Sequence, residues 1–215
     1  MRHRYAYILA LLLYIPLSSK AQNAPLQFVA NKGQWNAPFL FKAASSDVDV
    51  YLEKAGFTYV VGAHDNNELA HAYKHGELKT APTLRYHAYK VHLLGAKENP
   101  RVTTAKALPH YHNYYLGQDP TRWQSGIYPC LNVDYHNIYS GIDLHISSEN
   151  QQLKYDFIVK PGADPTDIVL AYEGVDGMKL RNGNLEITTS VGIIKELKPY
   201  VYQYIDNQKV EVPCN

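Results

Sequence analysis

The chain is poor in cysteine. Its 215 residues include two cysteines, Cys130 and Cys214. Neither belongs to a Cys-x-x-Cys pair, so the usual redox and zinc motifs are absent. One pair is not a disulfide scaffold, and a chain of this size does not need one. Two readings of the pair stand open: a Cys130–Cys214 disulfide, or a buried free thiol at Cys130 beside Tyr128, Pro129 and Leu131. An excess of one charge is missing too, with 21 basic residues against 20 acidic ones. No basic stripe is present, which disfavours nucleic acid as a partner. Gly-x-Ser-x-Gly, His-Glu-x-x-His, the P-loop and the dinucleotide fingerprint are all absent.

Long apolar runs are lacking except at the start. Arg2 and Arg4 precede an apolar run from Tyr5 to Leu17, and Ser19-Lys20-Ala21 offers small residues at −3 and −1. These are the three parts of a secretory signal peptide, with cleavage expected between Ala21 and Gln22. The run falls short of the roughly 20 residues that span a bilayer. Loss of residues 1–21 removes Arg2, Arg4 and Lys20, so 18 of the 21 basic residues remain against 20 acidic, a net charge of −2. The expectation is a secreted or cell-surface protein with no transmembrane segment after processing.

What is abundant is tyrosine: 19 Tyr against 5 Phe and 2 Trp. Tyrosine suits half-buried pleated surfaces, its ring packed and its hydroxyl wet. The alternative use is a sugar-stacking or protein-binding surface. Period-two alternation and turn residues recur along the chain. Strands are expected over 39–44, 48–52, 57–61, 84–94, 142–146, 153–159, 168–172, 178–180, 185–189, 193–197, 200–205 and 209–212. Asn182-Gly183 is a strong hairpin signal. No crossover helices of about 10 residues separate the strands, which disfavours a parallel sheet. The pattern predicts an all-β, antiparallel β-sandwich-like fold over residues 22–215. Residues 67–78 read as a polar loop or a short surface helix. Residues 95–112 read as a polar connection, and as the boundary if two sub-domains are packed together.

Several segments carry a resemblance to one family. They are Asn31-Lys32-Gly33-Gln34-Trp35, Leu94-Gly95-Ala96, Asn113-Tyr114-Tyr115-Leu116-Gly117 with Asp119-Pro120 and Trp123, and Tyr139 to Leu144. Leu153 to Phe157, Pro161 to Pro165, Lys198-Pro199 and Tyr202-Gln203 complete the set. The chain resembles the N-terminal β domain of unknown function found in exported bacterial proteins. Those proteins carry SBBP-type β-propeller repeats, or gliding-motility and type-nine-secretion C-terminal domains. The resemblance implies a secreted or surface β module without assigned catalytic residues. Such proteins usually continue into repeats or a sorting domain, whereas this sequence stops at Asn215; a fragment and a stand-alone copy are both open.

Three constellations have chemical potential. His71 and His75 have the spacing of one helix face, and His110 and His112 that of one strand face. With a distant carboxylate the second pair could bind zinc, but the simpler reading is exposed histidines in a connector. Asp143 and Asp156 fall on two strands of an expected hairpin. Paired carboxylates hydrolyse glycosides when about 5–9.5 Å apart across a cleft, and they also bind calcium. The dense Asp-x-Asp-x-Asn pattern of a calcium loop is missing. Hydrogen bonding to backbone and neighbouring side chains is the favoured role for both. The sequence therefore predicts a non-catalytic interaction module without cofactor. Its expected partners are neighbouring domains or surface proteins. The alternative is a carbohydrate- or surface-binding domain using exposed tyrosines, and a glycan-active enzyme built on Asp143 and Asp156 comes third.

Overall fold

The computed structural model describes residues 25–45, 47–149 and 152–213. The expected signal peptide, its Ala21–Gln22 cleavage site and Cys214 lie outside the described residues.

Alternation decides the first sheet. β1 (Val29–Ala30), β2 (Phe41–Ala44), β3 (Val48–Glu53) and β4 (Gly56–Gly62) run side by side, each antiparallel to the next. In β3, Val50 and Leu52 are buried while the alternate residues Asp49, Tyr51 and Glu53 take the other face. Lys54 and Ala55 make the turn into β4, so Glu53 pairs with Gly56. A Cβ at Gly56 would run into the Val91 carbonyl oxygen, so only glycine lets the next strand approach there.

The polar stretch near 67–78 contains a short helix, α1 (Asn66–Lys74). Buried Asn66 fixes its start: Nδ2 donates to the Arg85 carbonyl (2.7 Å), and Oδ1 accepts from the Arg85 amide (2.9 Å). β5 (Tyr86–Leu94) follows and pairs with β4, turning Tyr89, Val91 and Leu93 inward.

The second sheet starts where a polar connection was expected, and that expectation is corrected. Residues 95–112 contain β6 (Arg101–Ala107), an edge strand whose side chains are mostly in water. An edge position tolerates its Arg-Val-Thr-Thr-Ala-Lys-Ala composition, because only one neighbour and little core contact are required. A two-stranded excursion, β7 (His112–Tyr114) and β8 (Gln124–Ile127), precedes β9 (Cys130–Tyr139). β9 is the longest strand and the sequence reading passed over it. β10 (Ile142–Glu149) and β11 (Gln152–Val159) form the expected hairpin, with the reversal later than foreseen because Ser147 to Glu149 remain paired. The sheet order is β11-β10-β9-β6. β12 (Val169–Glu173) then returns to the first sheet beside β5.

The two antiparallel sheets enclose one apolar cluster, giving the all-β sandwich-like fold. Phe28, Leu52, Phe57, Val91, Val133, Tyr135, Leu144 and Ile146 are among its buried residues. The Tyr135 hydroxyl crosses to the first sheet and donates to the Glu53 carbonyl at 2.8 Å. A small third sheet, β13 (Gly177–Arg181), β14 (Asn184–Thr189) and β15 (Gly192–Glu196), joins this cluster through fully buried Ile187. Glu196 ties it further by accepting from the hydroxyls of Tyr155 (3.0 Å) and Tyr172 (2.8 Å). Burial and the Glu196 charge push both phenols far above their ordinary range. The last hairpin, β16 (Tyr202–Ile205) and β17 (Gln208–Glu211), is exposed along its whole length.

Candidate functional site

The carboxylates of interest lie on the outward side of the second sheet. Asp143 pairs with Ile158, and Asp156 pairs with His145, so the two aspartates are diagonal neighbours on β10 and β11. Asp143 accepts from the Asn137 amide (2.6 Å) and from Lys160 Nζ (2.9 Å). Asn137 takes a positive φ of 56°, and its side chain accepts from the Gly141 amide at 2.7 Å. Here β9 slips against β10, between the Tyr139–Ile142 and Tyr135–Leu144 pairs. Asp143 is therefore the clamp of a β-bulge. The Lys160 bond, against opposing partial burial and with help from the Asn137 amide, holds its carboxyl below the usual carboxylate range. Asp156 faces Lys154 at 3.4 Å. Between them on β10, His145 Nδ1 meets Asp134 Oδ1 at 2.5 Å, and Asp134 Oδ2 accepts from Asn132 (2.8 Å).

Within each histidine pair the two rings are close. His71 and His75 have ring centroids 4.2 Å apart at the exposed end of α1. His110 and His112 lie 5.6 Å apart, and His110 Nε2 contacts Gln27 Oε1 at 3.0 Å. Among the described residues no group of three or more His, Cys, Asp or Glu side chains is placed to hold a metal ion. Cys130 is buried at the start of β9, where its thiol donates to the Phe28 carbonyl (3.4 Å) and burial pushes its pKa up. Cys214, its partner in the disulfide reading, is outside the described residues.

A different site emerges at the edge of the first sheet. An open groove of about 590 Å³ is lined by Trp35 and Phe39 from the β1–β2 loop, Lys42 and Tyr51 from β2 and β3, and Leu116 and Arg122 from the β7–β8 connection. Two polar side chains shape the loop from within. Asn31 Nδ2 is shared among the carbonyls of Trp35 (3.1 Å), Ala37 (3.1 Å) and Phe39 (3.2 Å), while its Oδ1 accepts from the Gly33 amide (3.1 Å). Gln34 is fully buried; it donates to the Ala30 carbonyl (2.7 Å) and accepts from the Lys32 amide (2.6 Å). Gly33 sits at φ 103°, outside the range open to most side chains.

The aromatic rings form a connected series. Trp35 contacts Phe39 (5.5 Å between centroids) and, edge-on, Tyr114 (4.9 Å); Phe39 meets Tyr51 edge-on at 4.9 Å. Tyr115 and Trp123 pair at 5.6 Å on the exposed side of the neighbouring connection. Lys42 Nζ lies 5.2 Å from the Tyr51 ring centroid and 2.7 Å from Asp49 Oδ2. Burial opposes its charge, but Asp49 and Tyr51 outweigh that and raise its pKa. Arg122 is exposed and makes no salt bridge among the described residues. Its position follows from a short 3₁₀ turn, Pro120–Arg122, capped by Asp119, which accepts from the Thr121 amide at 3.0 Å.

Sequence reasoning missed this groove. Its parts were visible as Asn31 to Trp35 and Asn113 to Gly117, but residues about 80 positions apart meet only through the fold. The tyrosine signal was partly informative: Tyr51 and Tyr114 join the ring series, whereas Tyr59, Tyr89 and Tyr135 belong to the core.

Fold and groove together define an all-β, sandwich-like domain with an aromatic surface site at one sheet edge. A family model described as a domain of unknown function (DUF7948) matches residues 28–215, and the chain belongs to that family. No curated protein and no solved structure matches it. Among the described residues no helix is long and apolar enough to cross a membrane.

Proposed function

We propose that this domain is an exported, non-catalytic interaction module whose groove receives a carbohydrate ring. The observation that carries the reading is the series Tyr114–Trp35–Phe39–Tyr51, held in place by Asn31 and Gln34. Aromatic surfaces bind the apolar faces of sugars, and a rigid loop avoids the entropy cost of ordering it on binding. The clamp at Asp143 supports a structural role for that carboxylate rather than acid–base work on a glycoside. Export rests on the Arg2–Ala21 signal, and attachment to SBBP repeats or a type-nine-secretion sorting domain rests on the resemblance of the motifs.

The test is affinity electrophoresis through gels carrying different polysaccharides. The protein is expected to be retarded by at least one of them, and Trp35→Ala to run freely with an unchanged circular dichroism spectrum. Equal mobility of both proteins in every gel overturns the reading.

A second reading concerns neighbouring domains. Leu180, Ile193, Leu197, Tyr200 and Tyr204 are each more than half exposed, and all lie on β13, β15, β16 or the segment that joins β15 to β16. Apolar surface concentrated in this way favours contact with another domain. Partner capture that is lost with Leu180→Ser and Leu197→Ser together, and kept with Trp35→Ala, would select this reading.

A further inference from the structure

The groove has a sign as well as a shape. Its two fully charged lining side chains, Lys42 and Arg122, are both cations, and no Asp or Glu lines it among the described residues. Asp49 balances Lys42, and it does so from beside the groove rather than within its lining. Arg122 carries no such partner across a salt bridge. The nearest charge that Arg122 feels is Asp119, whose carboxylate is taken up by the Thr121 amide and hydroxyl rather than by a salt bridge, so a carboxylate on a sugar ring would still meet a planar donor fork matched to it.

We infer that the ligand is an acidic saccharide, a uronate-bearing glycan whose ring packs on Trp35 and Tyr51 and whose carboxylate is taken by Arg122. This inference rests on the carbohydrate reading above. Charge complementarity chooses an anion, and the ring series chooses a saccharide over an acidic peptide. A peptide adding to a sheet needs a free edge of useful length, and β1, the edge of this sheet on the side of the groove, is two residues long.

The test compares one sugar backbone in two charge states. Linear galacturonic acid oligosaccharides and their fully methyl-esterified forms share their rings and differ in the carboxylate. Titration of the whole protein by calorimetry, with Trp fluorescence as a second readout, is expected to show the acid form binding about tenfold or more tightly than the ester. Arg122→Gln, an exposed substitution with little bearing on folding, is expected to remove that difference by weakening the acid form alone. Trp35→Ala is expected to weaken both forms, and Tyr51→Ala gives the same comparison if the Trp35 variant melts early. Added salt is expected to erode acid binding and spare ester binding.

Equal binding of acid and ester overturns the charge inference and leaves the carbohydrate reading standing. Binding of neither form, nor of neutral glucans, overturns both. Polyglutamate binding that depends on Arg122 and ignores Trp35 and Tyr51 overturns the inference in favour of an acidic peptide.

Discussion

The β1–β2 loop and the Asp143 corner are built by the same device and end in opposite states. In each, one short polar side chain ties down an irregular stretch of backbone. Asn31 ties the carbonyls of Trp35, Ala37 and Phe39, and Asp143 ties the Asn137 amide and Lys160. The loop uses its tie to hold aromatic rings against solvent. The corner uses up its carboxylate in the tie. A residue type known for chemistry is thus structural in one place, while a residue type known for turns sets out an aromatic groove in the other.

The comparison can be broken at four points. Asn31→Ala is expected to cost the most, about 2–4 kcal/mol, since three carbonyls and the amides of Gly33 and Trp35 lose their partner at once. Chemical denaturation reads the loss, and groove binding should fail along with it. Asp143→Ala is expected to cost about 1.5–3 kcal/mol by releasing the bulge, measured the same way. A loss under about 0.5 kcal/mol would mean that Asn137 holds its conformation unaided.

The third point is pH. The folded-state pKa of Asp143 is lowered, so its contribution is complete above the unfolded value of about 3.9 and fades as pH falls through the lower folded value. The wild-type protein should lose stability over that acidic window more steeply than Asp143→Asn. Parallel acid limbs would assign the loss to other carboxylates. The smallest effect belongs to Asp156→Asn, expected within about 0.5 kcal/mol because its Lys154 pair is exposed. A larger change in melting temperature would make Asp156 part of the corner rather than its neighbour.

Legibility in the sequence followed burial. The β3–β4 and β10–β11 hairpins were readable because one face is apolar and the other wet. β6 was not, because an edge strand with solvated side chains lacks the apolar half of the pattern. β9 alternates as Leu131-Asn132-Val133-Asp134-Tyr135-His136, yet its Asn, Asp and His mimic turn chemistry, and the bulge at Asn137 breaks the period before Ile138. The hairpin placed Asp143 and Asp156 near each other as expected, but their partners Asn137, Lys160 and Lys154 had no local signature. The groove was illegible for a stronger reason: no window of sequence contains both Trp35 and Arg122.

The β16–β17 hairpin sends no buried side chain into the sandwich. Among the described residues its two strands pair only with each other, reinforced by Lys209 over the rings of Tyr200 and Tyr202. Its amides can therefore exchange with deuterium by local opening, at a rate set far from the global unfolding equilibrium. A protease would find its first accessible cleavage points there, trimming the tail while the remainder of the molecule stays native.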